Sequence, residues 1–153
     1  MVAVNINVNV TAAKGSLNRL QRKIPSASKK GIASAATFVQ NAIKDRTRKG
    51  ISVKGGAFKR YSKSYAKVRA KRGSTLTPNL FFEGQMLGNM SFKVFSKTKG
   101  QVFFPDTEAN KKAFFNDKTR PFFDVNNKEE ARAVKEFKKA FERELRIWAK
   151  EKI

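Results

Sequence analysis

Val134, Phe137, Phe141, Leu145 and Trp148 recur at 3-4-4-3 spacing through a stretch otherwise filled with Lys, Arg and Glu. That is the period of a helix with one apolar face. A helix of this kind gains most of its stability from covering that face, so these five residues are expected to dock it on the rest of the chain. Asn126 with Glu129, or Asn127 with Glu130, has the spacing of a capping box at its start. A second helical stripe, Ile32, Ala35, Ala36, Val39 and Ile43, runs through "SASKKGIASAATFVQNAIKDRTRKG". It has basic residues in its last turn and Gly50 placed to end it.

Between and around these helices the period changes. "VAVNINVNV" alternates strictly, Val2, Val4, Ile6, Val8 and Val10 against Ala3, Asn5, Asn7 and Asn9, which predicts a half-buried strand over residues 2–10. Ser16 is placed to cap a short helix carrying Leu17 and Leu20, which Pro25 is expected to interrupt. Gly50, Gly55 and Gly56 predict a loop, after which Tyr61, Tyr65 and Val68 form the apolar edge of a basic helix. "RGSTLTPN" reads as another loop, and "LFFEGQMLGNM" as a short turn of helix around residues 85–89. "SFKVFSK" and "QVFFP" flank "TKG" as the arms of a hairpin. Asp106 or Thr107 can start a further short helix, and Pro121 imposes an extended entry to the terminal one. The order predicts an α+β fold: an antiparallel sheet with a long helix from the N-terminal half and the C-terminal helix packed on it. Residues 1–153 suit a single domain, with strand 2–10 available to pair with a neighbouring subunit.

Charge bounds the function more than the fold does. Thirty-four Lys and Arg against twelve Asp and Glu give a formal +22, which attracts polyanions or acidic protein surfaces. An apolar share of 40% with fourteen Phe separates the chain from a disordered basic tail. No apolar run is long enough for a membrane span or a signal peptide, so an intracellular product is expected. Cys and His are both absent, which removes thiolate metal sites and the commonest general base. Among local motifs, Ser64 to Lys67 and Ser26 to Lys29 fit S-x-x-K but lack its companion motifs. "GISVKGG" has P-loop glycine spacing, but Gly56 stands where the Lys belongs. The acids do not cluster as a divalent-metal nuclease, with its several converging carboxylates, requires. No catalytic residue, metal ligand or cofactor is assigned, and a non-enzymatic role is expected.

The strongest electrostatic feature is residues 44–72, with twelve Lys or Arg and one acid, Asp45. Arg46, Arg48, Lys49, Lys54, Lys59, Arg60, Lys63, Lys67, Arg69, Lys71 and Arg72 are its candidate contacts to a polyanion or an acidic subunit. A solvated basic face stands beside that reading. The pairs Phe81-Phe82, Phe103-Phe104, Phe114-Phe115 and Phe122-Phe123 could stack bases. They fit better a division in which one Phe of each pair enters the core and the other meets a partner, which favours an oligomer.

Three local patterns in order, "GGAFKRYSKSYAKVRAKRG", "LFFEGQMLGNMSFKV" and "TRPFFDV", resemble the neck or tail-completion proteins of tailed bacteriophages, within the head-tail joining and virion-morphogenesis group. The likeness runs from about residue 30 onward. It rests on Gly56, Phe58, Tyr61, Ser62 and Tyr65; on Gly84, Met86 and Leu87; and on Arg120, Pro121 and Phe122. Many relatives carry a His-x-Phe-Gly-like segment where this chain has "NKKAFFND". The resemblance implies a structural virion protein that forms a homo-oligomeric ring, commonly a hexamer, around the DNA channel. Its partners would be the head connector or stopper and the tail-tube proteins, with packaged DNA within reach and no membrane involved. Its place would be the virion neck or tail end, after assembly in the host cytoplasm, in a tail-completion, terminator or head-tail joining role. The alternative is a basic nucleic-acid-binding module of ribosomal or nucleoid type, and a basic nuclease or toxin forms a third class.

Overall fold

A computed structural model describes residues 10–80 and 85–150. Among these described residues seven elements follow in order: α1 (Val10–Arg48), α2 (Lys63–Lys71), α3 (Gln85–Gly88), β1 (Ser91–Val94), β2 (Gly100–Phe103), α4 (Thr107–Thr119) and α5 (Asn127–Lys150). The architecture is α+β, with α1 and α5 packed together and α1 lying on the antiparallel β1–β2 hairpin. Ser91 pairs with Phe103 and Val94 with Gly100. The strand expected over residues 2–10 falls outside the described residues up to Asn9, and Val10 is the first residue of α1.

Pro25 does not interrupt the chain as expected: it lies inside α1, and Ser16 is an interior residue of that helix rather than its cap. A helical Pro loses one hydrogen bond and crowds the preceding turn, at about 3 kcal/mol. Packing just beyond it supplies the compensation. Ala27 is fully buried, and Lys30 Nζ donates to Glu144 Oε2 of α5 at 2.5 Å. Gly31 lets Phe137 of α5 so close that an added Cβ would stand 2.7 Å from its ring.

The ends of α1 and α5 obey local rules. Ile51 N–H donates to Arg46 O at 3.1 Å and Gly50 N–H to Thr47 O at 2.9 Å, with Gly50 at φ +72°. This Schellman closure needs the left-handed conformation that glycine adopts without strain. Of the two candidate capping boxes, Asn126 with Glu129 forms. Asn126 Oδ1 accepts from Glu129 N–H and Glu129 Oε2 from Asn126 N–H, both at 3.0 Å. In the docking stripe Phe137, Phe141, Leu145 and Trp148 are partly buried, while Val134 is exposed. Phe137 and Phe141 stack with centroids 5.8 Å apart. The more buried line on α5 is Ala140 and Glu144, because two long helices approach most closely where the side chains are small or paired.

The core lies where α1, α3, the hairpin and α4 meet: Ile43, Phe58, Met86, Leu87, Met90, Phe104, Ala109, Ala113 and Phe122. Of the expected division the inward half holds for Phe104 and Phe122, while Phe103 is partly buried and Phe123 packs against the same core, its ring centroid 5.0 Å from that of Phe104. The pair Phe114 and Phe115 departs from it, both being exposed at 58% and 65%. Helix α4 turns Ala109 and Ala113 inward, four residues apart on one face, which places both phenylalanines off that face. Phe81, Phe82 and Gly84 lie outside the described residues.

Candidate functional site: a tyrosine–arginine cleft beside a basic surface

Helix α2 starts where Ser62 Oγ accepts from Tyr65 N–H at 3.3 Å. It ends at Gly73, φ +62°, where Ser74 N–H donates to Arg69 O and Gly73 N–H to Ala70 O, both at 3.0 Å. Tyr65, Val68 and Tyr61 were expected to seat this helix, with Arg69 turned to a partner. The structure reverses most of that arrangement. Tyr65 and Val68 are 39% and 44% exposed, whereas Arg69 is at 1%. Arg69 Nε donates to Thr75 O at 2.8 Å, and its guanidinium lies 4.9 Å from the Tyr61 ring centroid. A planar cation can be buried in this way, its stem packed, its charge on an aromatic face and a donor on a main-chain carbonyl. Lysine offers no equivalent geometry, and the neighbouring Lys67 and Lys71 stay in solvent.

Arg120, sixty residues downstream of Arg60, approaches Tyr61 as well, its guanidinium 5.1 Å from the centroid. Its Nε donates to Lys59 O at 2.8 Å and its Nη2 to Arg60 O at 3.3 Å. Tyr65 meets Tyr61 edge-on at 5.0 Å. The turn carrying Arg120 is held by Asp117 Oδ1, which accepts from Phe122 N–H at 2.8 Å and Phe123 N–H at 2.9 Å.

These groups line a cleft of 480 Å³, with Leu80 and Met86 on its apolar side and Ser62, Gln85, Lys112 and Asn116 completing it. Among the described residues no carboxylate lines it, while Arg69, Lys112 and Arg120 do. It therefore favours an anionic group that also presents apolar surface. Tyr61, Ser62, Tyr65, Met86 and Arg120, taken from three separate sequence patterns, come together here. Phe58, Leu87 and Phe122 from the same patterns enter the core instead. Gly56 is exposed in its loop, and Pro121 accepts from Val53 N–H at 2.9 Å. Lys112 and Asn116 were missed by sequence reasoning. Only their i, i+4 spacing on α4 could have placed them on one face.

Arg46 is the second cation of the expected contact set that does not face outward. It is buried at the end of α1, where Nη2 donates to Phe122 O at 3.0 Å and Asp124 O at 2.6 Å. Its Nε lies 3.3 Å from Glu129 Oε1, the capping-box carboxylate. Burial pulls its pKa down, opposed by Glu129 and Asp124. The reason for this placement is geometric: the chain leaving the Arg-Pro-Phe turn crosses the end of α1, and its carbonyls need a donor there. Arg48, Lys49, Lys54, Lys59, Arg60, Lys63, Lys67, Lys71 and Arg72 are exposed. Lys44, inside the same block, is partly buried, and its pKa is lowered by desolvation and then by Arg48.

Ser64 Oγ lies 3.2 Å from Ser62 Oγ, one turn or less from the N-cap. Among the described residues no three His, Cys, Asp or Glu gather to hold a metal, and no helix is long and apolar enough to cross a membrane. Comparison with family models, curated proteins and solved structures found no match.

Proposed function

We propose that this chain is a structural protein of a bacteriophage neck or tail end, one that assembles into a ring joining the tail to the head connector around the DNA channel. The observation that carries the reading is the convergence of three sequence patterns on one cleft whose surroundings suit a subunit contact. Helix α2 brings exposed Tyr65 and Val68, the following loop exposed Leu76, and α4 exposed Phe114 and Phe115. Apolar side chains left in water on these three segments, in a chain rich in exposed cations, suit a protein partner with acidic and apolar groups. Arg69 and Arg120 are tied to main-chain carbonyls, so these two cleft cations keep a fixed geometry, which suits a carboxylate better than a flexible backbone.

The test is deletion of the gene in its phage, followed by electron microscopy of the particles. Separate heads and tails are the expected result, with rings in negative stain of the purified protein. Normal, infectious tailed particles would overturn the reading. The second reading, a nucleic-acid-binding module, is favoured by the nine exposed cations between Arg48 and Arg72. It requires tight binding to naked DNA or RNA with a steep salt dependence, lost on charge reversal of Lys63, Lys67, Lys71 and Arg72.

A further inference from the structure

Strand β2 pairs with β1 on one side and, among the described residues, with no strand on the other. Beside it lies a groove of 450 Å³ between α1, the start of β2 and the segment entering α5. Ile32, Ala35 and Val39 of α1 face Val102, Phe123 and Val125 across it, and all six are only partly buried. An open strand edge next to half-wet apolar side chains is the chemistry that accepts an added strand: its backbone pairs with the edge, and alternate side chains cover the groove. Residues 2–8 supply that pattern, with valine or isoleucine at each even position.

The chain's own geometry keeps that segment from its own groove. Gly100 of β2 sits against Ile32, so close that an added Cβ would stand 2.6 Å from Ile32 Cγ2. Ile32 lies twenty-two residues beyond Val10 along α1, about 33 Å at the helical rise. Val2 is eight residues from Val10 and reaches at most about 28 Å when fully extended. A segment of this length joined to the far end of α1 is too short to span to its own β2, whereas β2 of a second copy is not subject to that distance.

We propose that residues 2–9 of one copy add to the free edge of β2 in the next copy, laying Val2, Val4, Ile6 and Val8 over that copy's groove. The contact is head-to-tail, so repetition closes into a ring or grows a filament. It rests on the reading that copies of this chain assemble, and it names the surface through which they do.

The chain has no Cys, so disulfide trapping is clean. Full-length Asn7→Cys protein, carrying a size tag, is mixed with untagged Gln101→Cys protein and oxidised, with Asn7→Cys plus Lys93→Cys on the β1 side as the comparison. The expected product is a mixed two-chain disulfide in the first mixture at several times the yield of the second. The double variant Asn7→Cys/Gln101→Cys should give a multi-chain ladder, and deletion of residues 2–9 should lower the solution mass towards monomer with the helical circular dichroism retained. An internally bridged single chain, equal yields in the two mixtures, or an oligomer untouched by the deletion would overturn the proposal. Rings that assemble without the cross-link refute the strand contact and leave the joining function standing. A strand cross-link in a protein whose deletion leaves particles intact does the reverse.

Discussion

Replacing Arg46 separates a structural cation from a binding one. In Arg46→Ala the carbonyls of Phe122 and Asp124 lose donors at 3.0 and 2.6 Å, and Glu129 loses a cation at 3.3 Å while partly buried. A hydrogen bond to a charged group contributes about 1.5–3 kcal/mol, and removing one partner of a buried pair costs about 3–5 kcal/mol. The terms overlap, because the cost of burying Arg46 itself is regained and Glu129 keeps its bond to Asn126 N–H. A net loss of about 3 kcal/mol is expected, which for a chain of 153 residues lowers Tm by about 10 °C. The assay is thermal and urea unfolding of Arg46→Ala beside Lys49→Ala, an exposed neighbour whose loss should stay within about 0.5 kcal/mol. Arg46→Lys should recover part of the loss, since one ammonium cannot serve both carbonyls and the carboxylate in the fork geometry. If Arg46→Ala melts with Lys49→Ala, Arg46 does not pin α1 to the entry of α5.

Gly31→Ala should destabilise the α1–α5 contact by about 1–3 kcal/mol, because the new methyl falls 2.7 Å from the Phe137 ring; Gly31→Ala/Phe137→Leu should recover stability in the same urea titration. Asn126→Ala removes the cap of α5 and should cost about 1 kcal/mol, read as a lower urea midpoint with unchanged m. The Glu144 carboxyl is held below its ordinary range, first by the Lys30 hydrogen bond and against the opposing effect of burial, with the charges of Lys30, Lys23 and Arg143 adding to the shift. A depressed folded pKa gives stability that is fully present above the ordinary carboxylate value and lost as pH falls through the folded one. Acid titration of stability should therefore be shallower in Glu144→Gln than in the parent below about pH 4.5; parallel curves would refute the pairing.

Local sequence determined the elements it could determine by itself. The terminal helix, its capping box, the Gly50 stop, the Asp106 start and the hairpin arms follow from short-range sterics and hydrogen bonding, so a few neighbouring residues suffice to specify them. Pro25 shows the limit of such rules: a local penalty is overruled when α5 packs against the same turn, and no neighbour of Pro25 announces α5. The cleft shows it again. Tyr61, Met86, Lys112 and Arg120 come together only because the core around Phe58, Leu87 and Phe122 folds three segments onto each other. The basic block divides for the same reason. Its net charge is a property of composition, but which arginines turn inward depends on where buried carbonyls and an aromatic face lie once the chain has closed. Arg46 found the carbonyls of Phe122 and Asp124, and Arg69 found Tyr61 and Thr75. The charge of this protein is written in its sequence; the division between arginines that hold the fold and cations that face outward is a product of the tertiary structure, because desolvation and pairing are decided by distant residues.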